Sequence, residues 1–340
     1  ISIIKNQAME KTLNDFYEFQ NPDFIYTANL FGNEKNDNSL SLIIEQIYDF
    51  TRSLPFPEKW MNNVCKMYEN ITSVKDSPWG KIAVNFAKKS FTEVQKILSQ
   101  IKTVSSKNEN IQKSYGEAIE KDLSEANSIM ESLNIESWDK IAEKITQFSF
   151  SKFKPLRCKD CDFEKNVISE KRKYAKNLIE NSKKYFTFSE LGTINSLKKF
   201  KVVTKTLFEV TNYFCEEISY LKTIKNIADY SDLEHWTIKL LSKDTDSGEI
   251  NPSDIAFEIS NRYAEIMVDE YQDINEIQNT IFKLINNNNK IFCVGDVKQS
   301  IYKFRHSKPQ IFLGKKSDYR LYSKEENNYP AKIILGKNFR

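Results

Sequence analysis

The 340-residue chain carries 50 Lys plus Arg against 47 Asp plus Glu, a net charge of +3, which excludes a polybasic tail protein but leaves room for a local basic face. Its 8 Gly and 8 Pro fall far below the roughly 12% of average usage, which argues for long helices and against an all-β or loop-rich fold. With 40% hydrophobic and 29% charged residues, and no apolar run near the ~20 residues of a membrane span, the composition is that of a soluble globular chain of two or three domains.

Residues 1 to about 227 read as helix after helix. Leu40, Ile43, Ile44, Ile47 and Tyr48 recur at the helical period, Pro55 and Pro57 end that helix, and Trp60 opens another amphipathic stretch. The pattern predicts further helices over 80–101, 109–133, 136–148, 165–185 and 188–228, with a polar, Pro-containing loop over 150–165. That loop holds Cys158 and Cys161, a single C-x-x-C that cannot complete a tetrahedral zinc site. Five cysteines and no apolar leader argue against a disulfide framework, so free thiols in a reducing, cytoplasmic compartment are expected. Lys171-Arg172-Lys173, Lys183-Lys184 and Lys198-Lys199 with Lys201 are basic clusters on helices, read either as solvated faces or as phosphate contacts.

After residue 228 the pattern changes. Asn251-Pro252-Ser253-Asp254 predicts a helix from 252 to about 262, with an acid placed for the helix dipole. Glu265 to Val268 is a short apolar run followed by acids, expected as a buried parallel strand. A helix over 274–285, a second strand over 290–294 and a third candidate over 332–335 complete an α/β signature. The predicted fold class is therefore mainly α with a partial α/β domain.

Two clusters carry chemistry. Val268-Asp269-Glu270-Tyr271-Gln272-Asp273 sets two acids at the carboxyl end of a strand, the edge where parallel sheets bind ligands. An Asp there can hold Mg²⁺ on nucleotide phosphates and a neighbouring Glu can activate water, although the same acids also suit the N-terminus of the next helix. Gly295-Asp296-Val297-Lys298-Gln299-Ser300-Ile301-Tyr302-Lys303-Phe304-Arg305 follows the next strand. There Gly295 permits a sharp turn, Gln299 can sense a phosphate oxygen, and Tyr302 and Phe304 stand among Lys298, Lys303 and Arg305, a pattern suited to stacking single-stranded nucleic acid or, more plainly, to core packing. Leu335-Gly336-Lys337-Asn338-Phe339-Arg340 closes the chain with an Arg after a strand. His235 and His306 are read as hydrogen-bonded structural residues. Asp269, Glu270, Asp273 and Asp296 also permit a two-metal nuclease reading, disfavoured because their spacing already suits a nucleotide site.

DEYQD, then GDVKQSIYKFR, then NFR resemble motifs II, III and IV of the UvrD-like superfamily 1 helicases. Within that family the chain is most similar to the AddA-type helicase–nuclease subunits, because Asp229-Tyr230-Ser231-Asp232-Leu233-Glu234-His235 and the stretch from Leu40 to Trp60 match as well. The resemblance implies a helical 1B-like domain over 1–227, the C-terminal part of a RecA-like P-loop NTPase lobe 1A over 228–330, and the start of lobe 2A over 331–340. It implies that Asp269 ligates Mg²⁺, Glu270 is the catalytic base and Gln299 contacts the γ-phosphate of ATP. Tyr302 and Phe304 would meet DNA bases and Arg305 would couple the two sites; many relatives carry Trp where Phe304 stands. Phe339 would flank the adenine and Arg340 would act as an arginine finger. The implied partners are single- and double-stranded DNA and an AddB-type subunit; double-strand break repair is the implied process.

One departure matters. No G-x-x-x-x-G-K-[ST] occurs: Gly80-Lys81, Gly314-Lys315 and Gly336-Lys337 lack both the upstream Gly and the following Ser or Thr. The expectation is a fragment, without a phosphate loop or nuclease domain, that does not hydrolyse ATP alone. The alternative is a non-catalytic DNA-binding or subunit-docking module.

Overall fold

The computed structural model describes residues 1–32, 36–158, 161–243, 250–286, 291–301, 307–326 and 329–336. The chain forms two compact units, residues 64–202 and residues 1–63 with 203–340.

In the unit of residues 64–202 the helices are α5 (Pro78–Ser105), α6 (Glu109–Ile135), α7 (Trp138–Gln147) and α8 (Asp162–Lys183). The starts of the two long helices α5 and α6 have local causes. Ser77 Oγ accepts from Gly80 N ahead of Pro78 in α5, and Asn108 Oδ1 accepts from Asn110 N and Ile111 N ahead of α6. Gly80 is obligatory, since a Cβ there would lie 1.7 Å from Val74 O. Phe91, Val94, Leu98, Ile101, Ile119 and Leu133 build a continuous core with residues from the other helices. The predicted loop is packed rather than loose: Phe153 stacks on Tyr115 with centroids 4.0 Å apart.

Two expectations fail here. Arg172 belongs to the interior, not to a phosphate-binding face: its Nη2 lies 2.7 Å from Asp122 Oδ2 and also donates to Ser151 O, and its guanidinium sits 3.9 Å from the Phe153 centroid. The Asp122 side chain is 0% exposed and takes a second hydrogen bond from Ser151 N, so both its oxygens are satisfied, while Arg172 Nε is buried without a hydrogen-bond partner. Cys158 and Cys161 form a disulfide instead of staying as free thiols, with their Cα atoms 5.7 Å apart, within reach of such a bond.

In the other unit, α1 (Ser2–Glu18), α2 (Pro22–Phe31), α3 (Asn38–Thr51) and the later part of α9 (Glu190–Ile224) share a core of Ile4, Ala8, Phe24, Leu40, Ile44, Tyr48, Val210 and Phe214. The periodic stripe of the sequence is thus the inner face of α3. Pro57 opens α4 (Pro57–Lys66), and Trp60 on it packs edge-on against Phe50 at 5.0 Å. A helix that periodicity passed over, α10 (Tyr230–Leu241), is set by a reciprocal capping box between Asp229 and Asp232.

The α/β part begins with Ser242–Lys243 (β1) antiparallel to Asn251–Pro252 (β2). Asn251 and Pro252 are therefore strand, and Ser253 caps α11 (Asp254–Arg262) through Oγ to Ala256 N. Next come β3 (Ile266–Val268), α12 (Glu276–Leu284) and β4 (Ile291–Cys293), with β3 and β4 parallel and Val268 opposite Cys293. These strands are not fully buried as expected: Met267 is 71% and Phe292 55% exposed, so one face of the pair is open. Pro309–Asp318 forms α13, which the sequence reading did not foresee. The third strand is shorter than expected and pairs elsewhere: Ala331–Lys332 (β6) lies parallel to Arg320–Leu321 (β5), and Ile333 to Leu335 lie outside any strand and exposed. Among the described residues no helix is long and apolar enough to cross a membrane.

Candidate functional site

The loops that leave the carboxyl ends of β3 and β4 lie against each other. Val294 N donates to Val268 O at 2.9 Å and Tyr271 N donates to Val294 O at 2.8 Å, so the parallel ladder runs straight into the acidic loop. Residues 271–273 make one tight turn, and Glu270 enters it with φ 47° and ψ 40°, a left-handed conformation that is rare outside glycine. Such strain persists only where surrounding contacts over-determine it. Here they do. Asp269 Oδ1 accepts from Glu270 N at 2.8 Å, Tyr271 is buried with its hydroxyl on Asn279 Oδ1 at 2.7 Å, and the Asn275–Gln278 capping box starts α12 directly behind. Burial raises the Tyr271 phenol well above its ordinary value, so it stays a neutral hydrogen-bond donor.

Gln272, to which the sequence reading gave no role, is the centre of the arrangement. It is 0% exposed among acids that face water. Its Nε2 donates to Glu270 Oε2 at 2.7 Å and to Asp273 Oδ2 at 3.1 Å, and its Oε1 accepts from Asp296 N at 2.9 Å. Asp296 in turn caps the next turn: its Oδ1 accepts from Lys298 N at 3.0 Å and its Oδ2 from Gln299 Nε2 at 3.3 Å. A continuous bonded path therefore runs Glu270–Gln272–Asp296–Gln299. Asp269, Glu270, Asp296 and Gln299 are exposed along it, while Asp273 Oδ1 is buried without a hydrogen-bond partner.

Gly295 serves this contact rather than a sharp turn. Its backbone is not left-handed, and a Cβ on it would stand 2.3 Å from Gln272 Oε1. The signal was present in the sequence as a glutamine inside an acidic loop opposite a glycine, but only the pairing of the two loops gives it meaning. Tyr302, Phe304, Arg305, His306, Phe339 and Arg340 lie outside the described residues. Among the described residues no three His, Cys, Asp or Glu side chains gather to hold a metal ion, which leaves the two-metal arrangement of Asp269, Glu270, Asp273 and Asp296 without geometric support.

The D-Y-S-D-L-E-H segment braces this site from behind. Asp232 takes a hydrogen bond from Arg52 Nη2 at 2.8 Å and from Lys222 Nζ at 2.8 Å, and Asp229 takes one from Lys222 at 2.7 Å. Burial works to raise the Asp229 carboxyl, but the Lys222 ammonium and the Asp232 N–H outweigh it and hold the group below the usual range. His235 Nε2 sits 3.1 Å from Arg52 O; burial first, and then the Arg52 charge, push the imidazole below its ordinary value, so it is neutral and structural. Glu234 Oε1 accepts from Gln278 Nε2 at 2.9 Å, tying α10 to the helix that follows the acidic loop.

The A subunit of the ATP-dependent helicase/nuclease from Acetivibrio thermocellus is 31% identical over 99% of this chain and 28% of its own length. The proteins of the same name from Clostridium kluyveri and Listeria monocytogenes are 32% and 30% identical over 99% and 100% of the chain. The chain thus spans little more than a quarter of the length of these relatives, 27–28% in each case. The UvrD/REP helicase N-terminal domain matches residues 58–320, and the chain belongs to that helicase family.

Proposed function

We propose that this chain is the part of an AddA-type, ATP-dependent helicase–nuclease that carries the hydrolytic acids and their link to the DNA track. The observation that carries the reading is the bonded path from Glu270 to Gln299 at the carboxyl ends of two parallel strands. On this reading Glu270 is the general base that activates water and Gln299 reports the state of the γ-phosphate to the DNA-facing residues. Asp269 is the magnesium ligand. The site suits a hydrated divalent cation: Asp269 is exposed at the carboxyl end of β3, and the described hydrogen bond on its carboxylate, from Glu270 N, falls on Oδ1. When bound, Mg²⁺ would neutralise charge on the nucleotide phosphates.

The same reading assigns Tyr302, Phe304 and Arg305 to DNA, Phe339 to the adenine and Arg340 to the transferred phosphate. It assigns residues 1–227 to a 1B-like domain, 228–330 to lobe 1A and 331–340 to lobe 2A. Its partners in cytoplasmic double-strand break repair are DNA and an AddB-type subunit. The chain has no G-x-x-x-x-G-K-[ST] and should not turn over ATP alone. Phosphate release by this chain with single-stranded DNA, abolished by Glu270→Gln, would refute that. In the full-length protein Glu270→Gln should cut hydrolysis by about 10²–10⁴-fold; unchanged turnover would remove the assignment. The second reading, a DNA-binding or docking module, draws on exposed Lys198 and Lys199 on α9. It predicts salt-sensitive DNA binding by the chain, read as a fluorescence titration whose affinity falls between low and moderate salt.

A further inference from the structure

We infer that Gln272 is a positioning residue of this site, transmitting the position of the Asp296–Gln299 turn to the carboxylate of Glu270. The inference rests on the reading of Glu270 as the base and adds to it the group that aims it.

The chemistry of the partners fixes which way the amide points. Asp296 N is a donor and must face an oxygen; the Glu270 and Asp273 carboxylates are acceptors and must face the NH₂. The side chain therefore cannot flip without losing all three bonds and setting oxygen against carboxylate oxygen. One planar group thus spans both loops, with its two amino hydrogens on two acids and its carbonyl on the neighbouring loop. It is fully buried, so no water substitutes for a lost partner. Gly295 leaves the space that lets Oε1 approach the second loop. Glu270 meanwhile sits at positive φ, and the bond from Gln272 is the described contact on its carboxylate. A displacement of Asp296, which also holds Gln299, pulls on the carbonyl end of the amide and so rotates the end that holds Glu270. General-base catalysis depends steeply on such placement, since about 1 Å of misplacement costs on the order of 10²-fold.

The test uses the full-length protein with single-stranded DNA, and Gln272→Leu and Gln272→Glu beside Glu270→Gln. Leucine keeps the bulk and removes every bond. Glutamate keeps the shape and the acceptor end but turns the donor end into oxygen facing two carboxylates. Both variants should lower kcat at least about tenfold while KM for ATP stays within about threefold, because the aim of the base is lost and nucleotide binding is not. In this chain, Gln272→Leu should also raise hydrogen exchange at Asp296 N, which is protected in the parent, whereas Gln272→Glu, which keeps the accepting oxygen, need not. Wild-type kcat in both variants, or a parent Asp296 amide that exchanges freely, overturns the inference while leaving Glu270 as base. A loss confined to KM, or a loss in Gln272→Leu with Gln272→Glu fully active, reduces Gln272 to a packing residue and also overturns it. Unchanged hydrolysis in Glu270→Gln overturns the underlying reading instead.

Discussion

The helical unit of residues 64–202 and the β3–β4 region use the same kinds of residue to opposite ends. In the helices, a charged residue is drawn inward and fully paired: Asp122 with Arg172 and Ser151 N. Around the strands, charged residues stay at the rim, and apolar Met267 and Phe292 are the ones that meet water. An amphipathic helix carries its apolar stripe on one side, so a few helices close a core among themselves. A parallel strand needs cover on both faces, and in this chain the β3–β4 pair has it on one. The candidate acids Asp269, Glu270 and Asp296 are exposed at the carboxyl ends of this half-covered pair, over the buried Tyr271 and Gln272.

The sharpest way to break that contrast is Asp122→Ala. It leaves the Arg172 guanidinium buried beside an uncharged side chain, and loss of one partner of a buried pair costs about 3–5 kcal/mol. Urea unfolding should show a loss of that size; a change below about 1 kcal/mol would mean that the pair is not the keystone of the helical unit. Cys158→Ser comes next. Opening a loop this short should cost about 2 kcal/mol, and a reductant should lower the midpoint of the parent but not of the variant. At the open face the expectation is the reverse: Phe292→Thr should change stability by no more than about 0.5 kcal/mol, since the ring is already more than half in water. A large loss there would show that the face is covered in solution.

The smallest effect is a pH slope. The folded-state pKa of His235 is depressed below its ordinary 6.5 by burial and by Arg52, in a setting that also holds Asp229, Asp232 and Lys222. The unfolded chain therefore takes up the proton first, so stability is complete above about pH 6.5 and falls as pH drops below it. Asp229, also depressed, contributes in a separate window and loses its contribution only as pH falls below the ordinary carboxylate range. Thermal melts at pH 7.5 and 5.5 should differ in the parent and converge in His235→Gln. Equal slopes in both would place the titration elsewhere.

The sequence by itself determined the elements whose causes are local. The apolar period from Leu40 to Tyr48 fixed α3, Pro55 and Pro57 marked the break after it, and the run before Asp269 fixed a strand followed by acids. It also placed Asp269, Glu270 and Gln299 as residues suited to one chemistry. What it left out depends on partners distant in the chain. Arg172 looked like part of a basic surface run until Asp122, fifty positions earlier, drew it inside. Asp229, Asp232 and His235 were a pattern of letters until Arg52 and Lys222 packed against them. Gln272 and Gly295 gained their meaning only when β3 and β4 paired and set one loop on the other. Local propensity is written in neighbours a few residues apart, whereas a buried hydrogen bond is decided by whichever group the fold delivers, and only the tertiary structure delivers it.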